Sequence, residues 1–129
     1  RGSTRHYAPE SIQSKEKGSY TSKSDAFMFA NVLHEMGVGS FYHKRMFLPF
    51  TYSIFVAGRD IFRSYSTLQV RDLVVTGERP YFEVVYSDDI ETLIRECWHQ
   101  DPKQRPSFYD ICYTLEQLIE KITKEKSEK

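Results

Sequence analysis

The chain has 129 residues, an aromatic fraction of 15%, and 18 basic side chains against 18 acidic ones, for a formal net charge of zero. That length suits one domain with a real core, and balanced charge without a basic stripe excludes a binder of nucleic acid that relies on neutralising phosphates. No apolar run reaches the roughly 18 residues a membrane-spanning helix needs, and no signal-peptide pattern opens the chain.

Arg1, not a methionine, stands first, and the chain reads as a processed, truncated or partial product. Residues 1–10, RGSTRHYAPE, carry neither a helical nor a strand period and read as an ordered loop that ends at a helix start. Ala8-Pro9-Glu10 suits that start, because proline fits the first turn and glutamate favours the positive helix end. Residues 13–24, rich in Ser, Lys and Gly, form a surface connection.

The next helix is expected from Ser22 to Gly37, with Ser22 and Asp25 as a near capping box and Gly37 as the C-cap. Phe27, Met28, Phe29, Ala30, Val32, Leu33 and Met36 lie almost all round it, the pattern of a central helix buried on every side. Asp25 then sits close to the core and requires a hydrogen-bonding partner.

Residues 38–66 are crowded with aromatics, among them Phe41, Tyr42, Phe47, Phe50, Tyr52, Phe55, Phe62 and Tyr65. They read as a long connection packed by its own rings, with a docking surface as the alternative. Leu48 to Val56 fits a strand or a short helix, and periodicity does not decide between them. A short helix follows from Thr67 to Val75, with Leu68, Leu73 and Val74 inward and Gly77 as its cap.

Ser87 or Asp88 starts the next helix, whose Ile90, Leu93, Ile94, Cys97 and Trp98 form one apolar stripe. The corner Asp101-Pro102-Lys103-Gln104-Arg105-Pro106 follows, and Pro106 pushes Arg105 out of the helical region. Ser107 caps the last helix, with Asp110 completing a near capping box. Phe108, Ile111, Cys112, Leu115, Leu118, Ile119 and Ile122 mark its apolar face. Arg105 is thus held on a stiff corner between two core-packed helices, and such a fork calls for a dedicated carboxylate. Cys97 and Cys112, the two cysteines, both read as buried reduced thiols. Residues 123–129 are polar and mostly charged, a frayed, solvated end. There are no internal repeats, and sparse strand signals make the chain mostly α.

Three blocks, in order, resemble the C-terminal lobe of eukaryotic protein kinases. Gly2-Ser3-Thr4-Arg5-His6-Tyr7-Ala8-Pro9-Glu10 is similar to the end of the activation segment with its Ala-Pro-Glu triplet. Ser24-Asp25 through Glu35 resembles the family's central helix. Leu93-Ile94, Cys97-Trp98, Asp101-Pro102, Arg105-Pro106-Ser107-Phe108 and Leu115 are similar to the tyrosine-kinase and tyrosine-kinase-like groups. His6, Phe27, Met28 and Ala30 depart from the family's usual residues and mark a divergent member.

The resemblance implies a mainly α fold, the helical C-terminal lobe without the N-terminal β lobe or the catalytic loop. Residues 1–122 would be a partial kinase domain, 38–66 a divergent aromatic-rich connection, and 123–129 a charged tail. It further implies a buried ion pair between Glu10 and Arg105, and a role for Asp25 in holding the catalytic loop. Gly2, Ser3, Thr4 and Tyr7 would form the substrate-side loop, with Ser3 beside the acceptor hydroxyl. Ala8, Pro9, Glu10, Asp25, Trp98 and Arg105 would be structural anchors. The Gly-Ser-Thr start resembles the Ser/Thr-specific pattern more than the tyrosine-specific one.

Phosphoryl transfer needs parts this sequence lacks. Gly37-Val38-Gly39 has no third glycine and follows the central helix; Gly58-Arg59-Asp60 and Asp60-Ile61-Phe62 imitate catalytic motifs in the wrong order. No catalytic, cofactor-binding or metal-ligating residue is therefore expected here. ATP and Mg belong to the full-length parent, and this chain alone is expected to be inactive. Its expected partners are the missing N-terminal part of the domain and a protein substrate, in the cytoplasm or the cytoplasmic domain of a receptor kinase. The alternative is a non-catalytic interaction module from a truncated kinase or pseudokinase.

Overall fold

The computed structural model describes residues 4–14, 20–46, 65–80, 82 and 87–128, and among these it is helical with no strand. In order run a 3-10 turn at Thr4–His6, α1 (Pro9–Gln13), α2 (Ser22–Met46), α3 (Thr67–Val75), α4 (Asp88–Cys97), a 3-10 turn at Pro102–Gln104 and α5 (Phe108–Ser127). The Leu48 to Val56 question lies outside the described residues.

The core forms where α2 packs on α4, α1 on α3, and α4 on α5. Ala8, Ala26, Phe27, Ala30, Val70, Val74, Leu93, Ile94, Cys97, Trp98 and Ile111 are buried together. Each large apolar side chain among them contributes about 1.5–3 kcal/mol by leaving water. The α4 stripe expected from spacing is the stripe that is buried, with Ser87 as N-cap accepting from the Ile90 amide.

α2 differs from expectation in three ways. Its cap lies one residue earlier: the Thr21 hydroxyl accepts from Ser24 N at 3.2 Å, and Ser24 Oγ accepts from Thr21 N at 2.8 Å. Ser24, three residues before Phe27, therefore faces the core, and Asp25 does not; Asp25 is exposed. The expected near-core carboxylate is corrected accordingly. Nor is the helix buried all round. Ala26, Phe27, Ala30, Asn31 and His34 line the covered face, whereas Val32 is 49% and Met36 62% exposed. At about 100° per residue, Asp25, Val32 and Met36 share the opposite side. Finally, α2 runs through Gly37 to Met46. No proline stops it there, and a glycine inside a helix costs only about 1 kcal/mol relative to alanine.

α3 has the expected limits, but Val70 and Val74 are its buried residues and Leu68 is 69% exposed. Gly77, at φ +97°, ends the helix by donating to the Val74 carbonyl at 3.2 Å, while Glu78 N reaches the Leu73 carbonyl at 2.9 Å. This is a paired C-terminal closure that favours glycine at the left-handed position.

α5 begins as the sequence indicates, with a complete capping box between Ser107 and Asp110. Ile111 is its buried residue, and Leu115 packs against the core. Phe108, Ile119, Ile122 and Cys112 are exposed, which corrects the reading of both cysteines as buried. Ile111 and Leu115 are the positions of α5 that meet the core, and Lys121 further along pairs with Asp89 of α4 at 3.2 Å. The charged end continues as helix to Ser127, exposed along its length, in place of a frayed coil.

Candidate functional site

Arg105 occupies extended backbone (φ −75°, ψ 142°), as the following proline demands. The preceding turn is held by Asp101, whose side chain accepts from Lys103 N at 2.9 Å. From this corner the guanidinium points inward, and its side chain has 0% exposure.

All five of its N–H donors find acceptors. Nη1 donates to Glu10 Oε1 at 2.7 Å and Nη2 to Glu10 Oε2 at 2.8 Å, a two-pronged pair. Nε donates to the His99 carbonyl at 2.8 Å, Nη1 also to Lys23 O at 2.9 Å, and Nη2 to Gln100 O at 3.4 Å. Lys23 Nζ donates back to the Arg105 carbonyl. One cation thereby ties together the start of α1, the start of α2 and the end of α4.

Glu10 sits in the first turn of α1, where Ala8 is N-cap and Pro9 stands at the first helical position. Ala8 is fully buried, and its carbonyl accepts from Ile12 N at 3.1 Å. Residues 8–10 thus form a fixed plug against α3 and the Arg105 corner, and the loop before them is anchored from its C-terminal side.

Three further contacts hold that loop. Asn31 Nδ2 donates to the His6 carbonyl at 3.0 Å, and His6 Nε2 meets Glu35 Oε1 at 2.8 Å. Arg5 Nη1 reaches Thr67 Oγ1 at 3.5 Å. Tyr7 is half-buried, with its ring edge-on to that of Tyr20 at 5.6 Å. The hydrogen bond with Tyr7 raises the Tyr20 phenol above its ordinary range. Thr4 opens the 3-10 turn, while Gly2 and Ser3 lie outside the described residues.

Trp98 closes α4 and donates from Nε1 to Asn31 Oδ1 at 2.7 Å. Its ring lies 5.3 Å from that of His34 and 5.9 Å from that of Phe82. Asp25 differs from the other anchors in being exposed, on the side of α2 that also carries Val32 and Met36.

A second cation beside the core, the half-buried Arg79, went unrecognised in the sequence. Its Nε donates to Trp98 O at 2.9 Å, its Nη1 to Glu78 O at 2.7 Å and Val74 O at 3.2 Å, and its Nη2 to Gln100 Oε1 at 2.6 Å. Burial, and then the Arg105 charge nearby, pull its pKa down to about 10. Both guanidiniums approach the Phe27 ring, Arg79 at 4.8 Å and Arg105 at 5.1 Å, a favourable cation–aromatic arrangement. The available signal was the repeated dipeptide, Arg79-Pro80 and Arg105-Pro106, since each proline stiffens the arginine before it.

Away from these anchors, α4 and α5 flank an open groove of about 670 Å³ lined by Asp89, Glu96, Tyr113 and Lys121 among others, and no site residue expected from the sequence falls in it. Among the described residues no helix is long and apolar enough to cross a membrane.

Residues 1–115 match the family described as protein tyrosine and serine/threonine kinase. The chain belongs to that family. Its helical fold is that of a kinase C-terminal lobe. Curated kinases are similar to it at modest identity. It is 30% identical over 91% of its length to serine/threonine-protein kinase 12 of Arabidopsis thaliana, and 31% identical over 94% to serine/threonine-protein kinase VIK of the same plant. Serine/threonine-protein kinase STY17, also from Arabidopsis thaliana, is 31% identical over 94%. The chain spans 21%, 23% and 18% of those relatives' own lengths, respectively.

Proposed function

We propose that this chain is the C-terminal part of a kinase catalytic domain of the tyrosine-kinase-like or tyrosine-kinase groups, whose parent transfers phosphate from ATP to protein Ser or Thr, less readily to Tyr. The observation that carries the reading is the two-pronged Glu10–Arg105 pair, which ties the Ala-Pro-Glu plug to a guanidinium whose other donors are held by the start of α2 and the end of α4. Such a plug has a purpose if the loop before it, residues 2–7, must present an acceptor hydroxyl in one register. The names of the similar plant kinases support Ser/Thr direction.

In this reading the chain supplies positioning. ATP, with Mg, provides the phosphoryl group and the charge neutralisation, both held by upstream residues. Gly2, Ser3, Thr4 and Tyr7 form the wall beside the acceptor, and Ala8, Pro9, Glu10, Trp98 and Arg105 hold that wall in place. The exposed face of α2 suits the upstream part of the domain as its partner. Asp25 offers a carboxylate for backbone amides, with the uncovered Val32 and Met36 along the same side. The parent works in the cytoplasm, as a free enzyme or as the cytoplasmic part of a receptor.

Two measurements test this. Titration calorimetry of the 129-residue chain with Mg-ATP is expected to show no binding; micromolar affinity would refute the division of labour. The coding region upstream of Arg1 is expected to encode His-Arg-Asp and then Asp-Phe-Gly within a few tens of residues. With that region restored, Ser/Thr peptides are expected to accept phosphate in preference to Tyr peptides. An upstream region without those motifs would favour a non-catalytic interaction module.

A further inference from the structure

We propose that Asn31 is the positioning residue of the substrate-side loop, joining the His6 carbonyl to the Trp98 indole; this rests on the kinase reading above. Asn31 lies on the covered face of α2 between Phe27 and His34 and is 2% exposed. A buried carboxamide among apolar neighbours costs free energy unless both of its ends are bonded. Here Nδ2 donates to the His6 carbonyl at 3.0 Å and Oδ1 accepts from Trp98 Nε1 at 2.7 Å.

The chemistry allows only this orientation. Flipping the amide sets oxygen against the His6 carbonyl and nitrogen against the indole N–H, two acceptors at one end and two donors at the other. Leucine at this position leaves both partners unbonded, and aspartate serves the indole alone. A purely apolar residue would have sufficed to fill the helix interface. The carboxamide is explained by the need to couple two elements, the loop of residues 4–7 and the end of α4.

The coupling has a direction. Trp98 is fixed by the core, by the Ile94 carbonyl that its own amide reaches at 3.0 Å, and by Arg79 on its carbonyl. Asn31 is fixed by α2. The loop is the member that needs holding, and the bond to His6 O acts on its backbone two residues before Ala8. With the His6–Glu35 contact on the same residue, both the backbone and the side chain of His6 are registered on α2. Glu10–Arg105 anchors the loop from behind, and Asn31 anchors it from beneath. The backbone from Thr4 to Tyr7 is then set by two independent points.

The test has a variant-free arm. NMR of the wild-type chain is expected to show scalar coupling across the hydrogen bond from Asn31 Nδ2 to the His6 carbonyl carbon. Trp98 is the only tryptophan, so one indole N–H resonance reports the other end. Asn31→Asp is expected to shift the His6 carbonyl resonance while largely sparing the indole; Asn31→Leu is expected to move both. In the parent enzyme Asn31→Asp is expected to raise KM for a protein or peptide acceptor about tenfold, the scale of one lost positioning bond, with kcat and the ATP KM held within about twofold. Absence of the cross-bond coupling, or an unchanged acceptor KM, would overturn the proposal. A parent that phosphorylates no protein acceptor would overturn the kinase reading beneath it instead.

Discussion

The Glu10–Arg105 pair makes an asymmetric prediction about stability. The Arg105 side chain has 0% exposure and Glu10 has 29%. Removing the carboxylate with Glu10→Ala therefore strands a cation that water cannot reach. Breaking a buried pair from one side costs about 3–5 kcal/mol, most of it from the charge left behind, and this variant is expected within that range. Arg105→Met leaves Glu10 free to recover part of its hydration, which lowers that component. It also removes donors from the carbonyls of His99, Lys23 and Gln100. At about 1 kcal/mol each, those losses bring the total back to roughly 3–4 kcal/mol. Arg105→Lys keeps the charge but cannot reproduce the fork, and is expected to cost at least about 2 kcal/mol.

The exposed Arg95–Glu91 pair, at 2.7 Å, provides an internal control; Arg95→Ala is expected to cost under about 0.5 kcal/mol. Urea unfolding with an unchanged m-value measures all four variants. The coupling between Glu10 and Arg105 in a double-mutant cycle is expected near 2–3 kcal/mol. A Glu10→Ala cost below about 1 kcal/mol would refute the reasoning, because the pair would then behave as a surface salt bridge.

Three other outcomes are expected. A thiol reagent applied to the folded chain should label Cys112 quickly and Cys97 only on unfolding, since Cys97 is buried and its pKa is pushed up to about 12 by burial and then by Glu96; equal labelling rates would contradict this packing. The hydrogen bond from the Ser107 hydroxyl, followed by that from the Ser107 amide, holds the Asp110 carboxyl below its ordinary range. Its folded pKa is lowered, so this contribution to stability is present at neutral pH and lost as pH falls through the folded value. Ser107→Ala should flatten that part of the stability–pH profile and lower stability by about 1 kcal/mol at pH 7; a profile that keeps its acid limb would count against the capping box. Gly77→Ala meets no atom within 4 Å, so its cost comes from the φ of +97° alone and is expected at about 1–2 kcal/mol by thermal unfolding. A neutral result would show that the turn rearranges.

Signals that act within a few residues were legible in the sequence. The α4 stripe, the Ser107–Asp110 box, the Arg105 corner and the limits of α3 all follow from spacing, capping chemistry and the constraint a proline places on its neighbour. The resemblance to kinases named Glu10 as the partner of Arg105 across ninety-five positions, a pairing that spacing cannot indicate. The errors have a common physical cause. Composition made α2 look buried all round, yet Val32 and Met36 face outward because no described element covers that side. Cys112, Ile119 and Ile122 repeat at helical spacing, yet α5 lies against α4 over only part of its surface. An apolar period records which residues are able to be buried, and the neighbours available decide which of them are.

The sequence by itself determined the limits of α3, the serine-capped starts of α4 and α5 and the stiff corner, because these depend on bonds and torsions among near neighbours. It also determined membership in the kinase family, through blocks that keep their order. Only the tertiary structure decided that Arg105 uses all five donors, that Arg79 is a second, half-buried cation, and that Asn31 ties the loop of residues 4–7 to Trp98. Each of those depends on where a polar group, once removed from water, finds its partner, and that partner lies on another element.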